Sequence, residues 1–155
     1  MRVSSVTVCA DRVDVLVDVG DAEALRTMSD STIAERALKL LPGLERHVCH
    51  NDDDRTFAEE LADTEVPHLF EHVVMELMAR AGSPRTLKGE TSWDFKRDGH
   101  GIFRVAFEYD DDLVCLGAIK AASKVMAYLT DGGPAPDTAL ETARLLSLRE
   151  VPVVA

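Results

Sequence analysis

The 155-residue sequence suits one domain over residues 1–155, with enough chain to bury a substantial core. Its 46% hydrophobic and 29% charged residues are typical of folded, soluble proteins. The formal net charge of −11 disfavours nucleic acid and an anionic membrane as partners, because both would repel the chain. We predict neither a signal peptide nor a membrane span, and three widely spaced cysteines indicate a reducing cytoplasm instead of a disulfide framework.

Two runs near the N-terminus have the alternation of half-buried strands. Apolar and polar side chains alternate over residues 3–8 and 13–19, with valines on one face of the second run. A turn at residues 10–11 would join the two runs. The pattern predicts an antiparallel hairpin.

The remaining elements are mostly helical. In chain order we predict a helix over residues 31–41, a solvated loop over 51–54, a short helix over 57–61, a helix over 67–81, a strand over 102–109, and helices over 110–129 and 138–148. Residues 85–101 contain the only tryptophan, Trp93, and are rich in Gly, Thr, Lys, Asp and Arg, which indicates a connecting loop or a lid. Together these elements predict an α+β fold: a single small domain whose antiparallel sheet, with its N-terminal hairpin, packs against helices.

The predicted helix over residues 67–81 carries a chemical motif. His68, Glu71 and His72 follow the order His-x-x-Glu-His, the inverted form of a zinc-protease signature. A helix turns about 100° per residue, so these side chains share one face while an apolar stripe occupies the other. Two neutral imidazoles one turn apart can bind zinc, or another divalent metal, and Glu71 is the candidate general base.

A catalytic zinc needs a third protein ligand. Glu76 is a candidate by type, but it lies about 9 Å along the helix axis from the midpoint of the two histidines. Glu76 is better suited to accept a hydrogen bond from His72 and so to orient that histidine without binding the metal itself. We therefore expect the third ligand to be Glu108, at the end of the strand over residues 102–109, with Glu76 as the alternative.

Three ordered blocks carry a family resemblance. They lie at residues 41–49 (LPGLERHVC), 68–77 (HLFEHVVMEL) and 101–109 (GIFRVAFEY). In order and spacing they resemble the N-terminal domain of cyanophycin synthetase. The resemblance implies a small α+β domain that, in some members, trims an Asp-Arg polymer through the matching helix. It also implies that His68 and His72 bind the metal and that Glu71 is catalytic.

The resemblance also bounds the function. The chain has no room for the ATP-grasp and ligase domains of a full synthetase, so we expect no ATP site. Residues 64–67 and 85–101 depart from the synthetase pattern, which leaves the substrate open. We expect a peptide-like or Arg-containing small substrate and allow for a homo-oligomer. Weaker candidates for substrate contacts are Tyr109, His100, Arg97 and Arg104.

The sequence leaves three functions open. The leading hypothesis is a zinc-dependent peptidase-like hydrolase in which Glu71 takes a proton from water as that water attacks an amide carbonyl. The alternative is a non-catalytic binding or oligomerisation module that retains the fold. A third, weaker hypothesis is metal storage or sensing. A cleft at the His68 face would favour catalysis, whereas a face covered by Trp93 and its loop would favour the module.

Overall fold

A computed structural model describes residues 1–20, 25–49 and 55–149. The predicted loop over residues 51–54 lies outside this part of the chain. The helices in the described part are α1 (Ile33–Leu40), α2 (Phe57–Glu60), α3 (Val66–Arg80), α4 (Phe95–Asp98), α5 (Asp112–Asp131) and α6 (Thr138–Arg149). Two short 3-10 helices, Thr27–Ser29 and Pro42–Arg46, flank α1.

The strands form one antiparallel sheet. They are β1 (Arg2–Val8), β2 (Arg12–Asp18), β3 (Gly89–Ser92) and β4 (Ile102–Glu108), in the spatial order β1-β2-β4-β3. The predicted hairpin is confirmed by the pairing of β1 with β2. Strand β4 lies at the centre, where Val105 faces Val15 of β2 across one edge and Thr91 of β3 across the other. The sheet and the helices confirm the predicted α+β class.

One face of the sheet packs against the helices. Val13, Val15 and Val17 of β2 are buried while their neighbours are partly exposed, as the two-residue period of a strand requires. Helices α3 and α5 pack against each other and against the sheet, α3 on β3 and β4 and α5 on β1 and β2. Phe70 of α3 meets Phe107 of β4 edge to face. Full burial of each large apolar side chain contributes about 1.5–3 kcal/mol. This packing fixes the orientation of α3, which carries the motif.

Helix α5 is long and apolar enough to cross a membrane, by length and composition alone. Half of its most apolar window is buried within the fold, where it packs against α3, α1 and α6. A core helix meets the same criteria, so the test gives only weak evidence for a span.

The segment over residues 85–101 is more regular than the sequence indicated. It contains β3, which pairs with β4, and the single turn α4. Local patterns do not predict β3 because it has only polar residues and glycine, and its stability comes from tertiary pairing. Trp93 follows β3, packs on the rings of Phe95 and Phe103, and remains 52% exposed.

Candidate metal centre

Helix α3 presents the predicted motif on one face and its core residues on the other. Phe70 and Leu77 are fully buried against the sheet and α5. His68, Glu71 and His72 lie on the side of the helix that lines a cleft. The apolar stripe that orients α3 therefore also orients the motif.

Cys49 joins the two histidines. It lies just after the 3-10 helix Pro42–Arg46 and is buried. Its Sγ is 3.7 Å from His68 Nε2 and 3.5 Å from His72 Nε2, and the two Nε2 atoms are 3.1 Å apart. These three side chains form the metal group, the set within the described residues whose ligand atoms all lie within 4.8 Å of one another.

The metal group fits a zinc ion. Sulfur and imidazole nitrogen are the ligands that zinc prefers, and three of them leave one position of a tetrahedral ion for water or substrate. Burial lowers the pKa of His72 to about 2, helped by His68 and His47, so its ring is neutral and can donate a lone pair. Burial and the carboxylate of Glu60 raise the pKa of the Cys49 thiol to about 12. A divalent cation would reverse this preference because it favours the thiolate.

A threonine orients His68. Thr64 is buried, and its hydroxyl lies 2.8 Å from His68 Nδ1 and 3.4 Å from the carboxylate of Glu65. The hydroxyl donates to the carboxylate, so its oxygen accepts a hydrogen bond from His68 Nδ1. That tautomer leaves the Nε2 lone pair of His68 free toward Cys49.

A buried chain of hydrogen bonds orients His72. Burial opposes ionisation of Glu76, but hydrogen bonds from His47 and Arg85 outweigh it and lower the Glu76 pKa. The carboxylate can only accept, so His47 Nε2 donates to it over 2.8 Å. In the His47 tautomer that carries its proton on Nε2, the Nδ1 lone pair accepts from His72 Nδ1 over 2.9 Å. His72 Nε2 is left with its lone pair toward Cys49.

The predicted hydrogen bond between Glu76 and His72 is not present, because His47 bonds to both. Glu76 lies behind His47 and supports His72 indirectly, because His47 enters the space between the two. Gly43 makes room for this arrangement, since a Cβ there would overlap the Glu76 carboxylate. On the other side of His72, the ring of Phe57 stacks at a centroid distance of 3.8 Å.

Glu71 lies beside the metal group. Its Oε1 is 4.0 Å from His72 Nε2, and its Oε2 accepts a hydrogen bond of 2.5 Å from Thr91 on β3. Burial raises the pKa of Glu71 to about 7; the Thr91 hydrogen bond opposes this effect and the charge of Glu90 adds to it. Such a carboxylate can accept and return a proton near neutral pH.

The motif face opens on a cleft of about 630 Å³. Cys49, His68, Glu71 and His72 line it together with residues 84–91. Trp93 also lines the cleft and does not cover the motif. The site is therefore accessible to a ligand of peptide size.

The structure places Glu108 away from the metal group. Phe107 points into the core, so the alternation of β4 turns Glu108 to the opposite, exposed face. Its carboxylate accepts a hydrogen bond from the backbone N–H of Lys88, and it does not line the cleft. Glu108 therefore does not meet His68 and His72, and Cys49 is the side chain that lies beside them.

The four weaker candidates also lie outside the cleft lining. Tyr109 donates its hydroxyl hydrogen to the carbonyl of Cys9, and Arg104 pairs with a carboxylate of α4. His100 packs on the ring of Phe95, and Arg97 is exposed on α4. These contacts give Tyr109, Arg104 and His100 structural roles.

Sequence reasoning missed Cys49 and His47 as site residues. Cys49 is buried, as expected of a small core residue, but its sulfur faces the histidines. The signal was present as His-x-Cys about twenty residues before the motif, a spacing compatible with a shared metal site. Nothing local shows that this segment meets α3.

Two comparisons with known proteins show which family the sequence is similar to. The family described as "Cyanophycin synthase-like N-terminal domain" matches residues 14–131, a segment that includes the whole metal group and Glu71. A cyanophycin synthetase from Geminocystis herdmanii is 35% identical over 80 residues, which cover 48% of this chain and 8% of that protein. The chain thus corresponds to a small part of that synthetase. It belongs to the cyanophycin synthase-like N-terminal domain family.

Proposed function

We propose that this protein is a zinc-dependent hydrolase that cleaves peptide-like amide bonds. The observation that carries the proposal is the position of Glu71, which lies in the same cleft as Cys49, His68 and His72 and 4.0 Å from the nearest ligand nitrogen. A structural zinc site has four protein ligands and needs neither an adjacent carboxylate nor an open cleft.

The metal group, Glu71 and Thr91 would each have a separate role in hydrolysis. Zinc held by the metal group would supply a Lewis acid that activates water and polarises a carbonyl. Glu71 removes one proton from the attacking water as the new C–O bond forms. It then returns that proton to the amide nitrogen as the C–N bond breaks, which yields a carboxylic acid and an amine. Thr91 holds the carboxylate of Glu71 toward the cleft through their hydrogen bond.

The family suggests the substrate. We infer an Asp-Arg polymer or a related Arg-containing peptide, and the net charge of −11 favours guanidinium groups in the ligand. We also infer a cytoplasmic location, because all three cysteines are free thiols.

Zinc content and cleavage test the proposal together. We expect one zinc per chain and cleavage of Asp-Arg polymer or of β-linked Asp-Arg dipeptides. Glu71→Gln should retain zinc and lose cleavage, while Cys49→Ser should lose zinc affinity. Glu108→Gln is the matched control, since it removes an exposed carboxylate outside the cleft and should change neither. Zinc-free protein, or cleavage unchanged in Glu71→Gln, contradicts the proposal.

The alternative is a non-catalytic binding or oligomerisation module. The buried sulfur of Cys49 favours it, because cysteine ligands are common in structural zinc sites. In that case zinc would stabilise the fold, and no amide substrate would be cleaved. Stoichiometric zinc with a raised melting temperature and no cleavage by wild type would support this function.

A further inference from the structure

Strand β3 forms the edge of the sheet that lies beside the metal group. Among the described residues, β3 pairs with β4 on one side and with no strand on the other. Residues 87–91 line the same cleft as His68, Glu71 and His72. The unpaired edge of β3 is therefore part of the candidate active site.

The register identifies which backbone groups face outward. Glu108 N donates to Lys88 O over 2.9 Å, which makes these two residues a hydrogen-bonded pair. Hydrogen-bonded and non-hydrogen-bonded pairs alternate in an antiparallel ladder, so Glu90 is bonded to Ala106. Gly89 and Thr91 belong to the non-bonded pairs with β4. Their N–H and C=O groups point to the open edge.

Glu71 contacts β3 at the two residues whose backbone groups point to the open edge. The Thr91 hydroxyl donates to the Glu71 carboxylate, and Gly89 has no side chain where a Cβ would lie 2.7 Å from Glu71 Cγ. An extended chain paired with Gly89 and Thr91 would thus have an amide bond next to Glu71. Main-chain pairing of this kind is a general way to bind peptides at a sheet edge.

We propose that the outer edge of β3 binds the main chain of a basic peptide in extended conformation, through the N–H and C=O groups of Gly89 and Thr91. The net charge of −11 favours a basic sequence. Alternate side chains of this peptide would point into the cleft and specify the sequence. The role of this peptide as substrate rests on the proposed hydrolase function, but the binding itself does not require metal.

Amide hydrogen exchange by NMR tests the proposal residue by residue. The probe is a capped octapeptide of alternating alanine and arginine, added to the full chain as wild type and as Glu71→Gln, which prevents cleavage. Exchange at Gly89 and Thr91 should slow at least about tenfold at saturation, since each N–H gains a hydrogen bond. Glu90 is the internal control because its N–H is already bonded to β4, and its exchange should stay unchanged. Absence of binding, or binding with unchanged exchange at Gly89 and Thr91, overturns the proposal.

Methylated peptides provide a second test that needs no protein variant. N-methylation of every alanine, or of every arginine, removes the donors on one side of an extended peptide. One of the two methylated peptides should bind at least about tenfold more weakly, and the other should change less than about threefold. Equal effects of the two would contradict edge pairing. Slowed exchange in a protein that binds no zinc and cleaves no amide would reject the hydrolase and support peptide binding at the β3 edge. Cleavage without slowed exchange would support the hydrolase and reject binding at this edge.

Discussion

Removal of the Glu76 side chain should weaken zinc binding although Glu76 touches none of the three ligands. The hydrogen bonds from His72 to His47 and from His47 to Glu76 fix the His72 tautomer. In Glu76→Ala, His47 Nε2 loses its acceptor in this series. His47 can then carry its proton on Nδ1, which forces His72 to protonate Nε2, the atom that faces Cys49. Arg85 is about half exposed and can turn to water, so its loss of a partner costs little.

The size of the loss in zinc affinity can be estimated because these hydrogen bonds orient His72, one of the three metal ligands. Changes to the hydrogen-bond partner of a metal-bound histidine lower affinity about 10–100-fold. That range corresponds to about 1.4–2.7 kcal/mol of zinc binding free energy. Glu76→Gln should lose less, because its amide oxygen can still accept from His47.

Competition with a zinc chelator at fixed pH measures this effect. Glu108→Ala serves as the control, since it removes an exposed glutamate outside the cleft. Urea unfolding of each zinc-free variant shows whether the fold is intact. If folded Glu76→Ala keeps its zinc affinity within about twofold of wild type, the argument from tautomers fails.

Three other predictions test the site and the packing that supports it. Gly89→Ala should retain zinc and lose at least about tenfold in cleavage rate, because its Cβ would displace Glu71; full activity would show that the position of this carboxylate is not critical. Burial opposes ionisation of Asp110, but hydrogen bonds from Arg149 and Ser83 lower its pKa below 3.8. The ionised carboxylate therefore stabilises the fold above about pH 4, and this contribution is lost as the pH falls through the pKa of the folded state. Unfolding from pH 6 to pH 2 should therefore show a smaller acid loss in Asp110→Asn than in wild type, and identical losses would refute this. Leu77→Ala should cost about 2–5 kcal/mol in urea unfolding because Leu77 is fully buried, and a cost below about 1 kcal/mol would contradict the packing.

Local sequence patterns predicted the parts of the site that lie on one element. The helical period of the apolar residues placed α3 within a residue of its observed bounds and assigned His68, Glu71 and His72 to one face. The same reasoning found the hairpin of β1 and β2, because alternation over seven residues is a strong signal.

The parts of the site that depend on tertiary contacts could not be predicted this way. Cys49 and His47 reach α3 from a separate segment, and no local pattern encodes that approach. Strand β3 is too short and polar to be recognised without its partner β4. The outward position of Glu108 could have been predicted, since the alternation of Phe103, Val105 and Phe107 already places it on the outer face.

X-ray absorption at the zinc edge tests the metal centre most directly, because it reports which atoms surround the ion. Protein loaded with one equivalent of zinc should show one sulfur at about 2.3 Å and two imidazole nitrogens at about 2.0–2.1 Å. The sulfur signal should disappear in Cys49→Ser. It should remain in Cys115→Ser, the control that removes another buried cysteine. A wild-type spectrum with only nitrogen and oxygen neighbours would contradict the assignment of Cys49, His68 and His72 as the metal group.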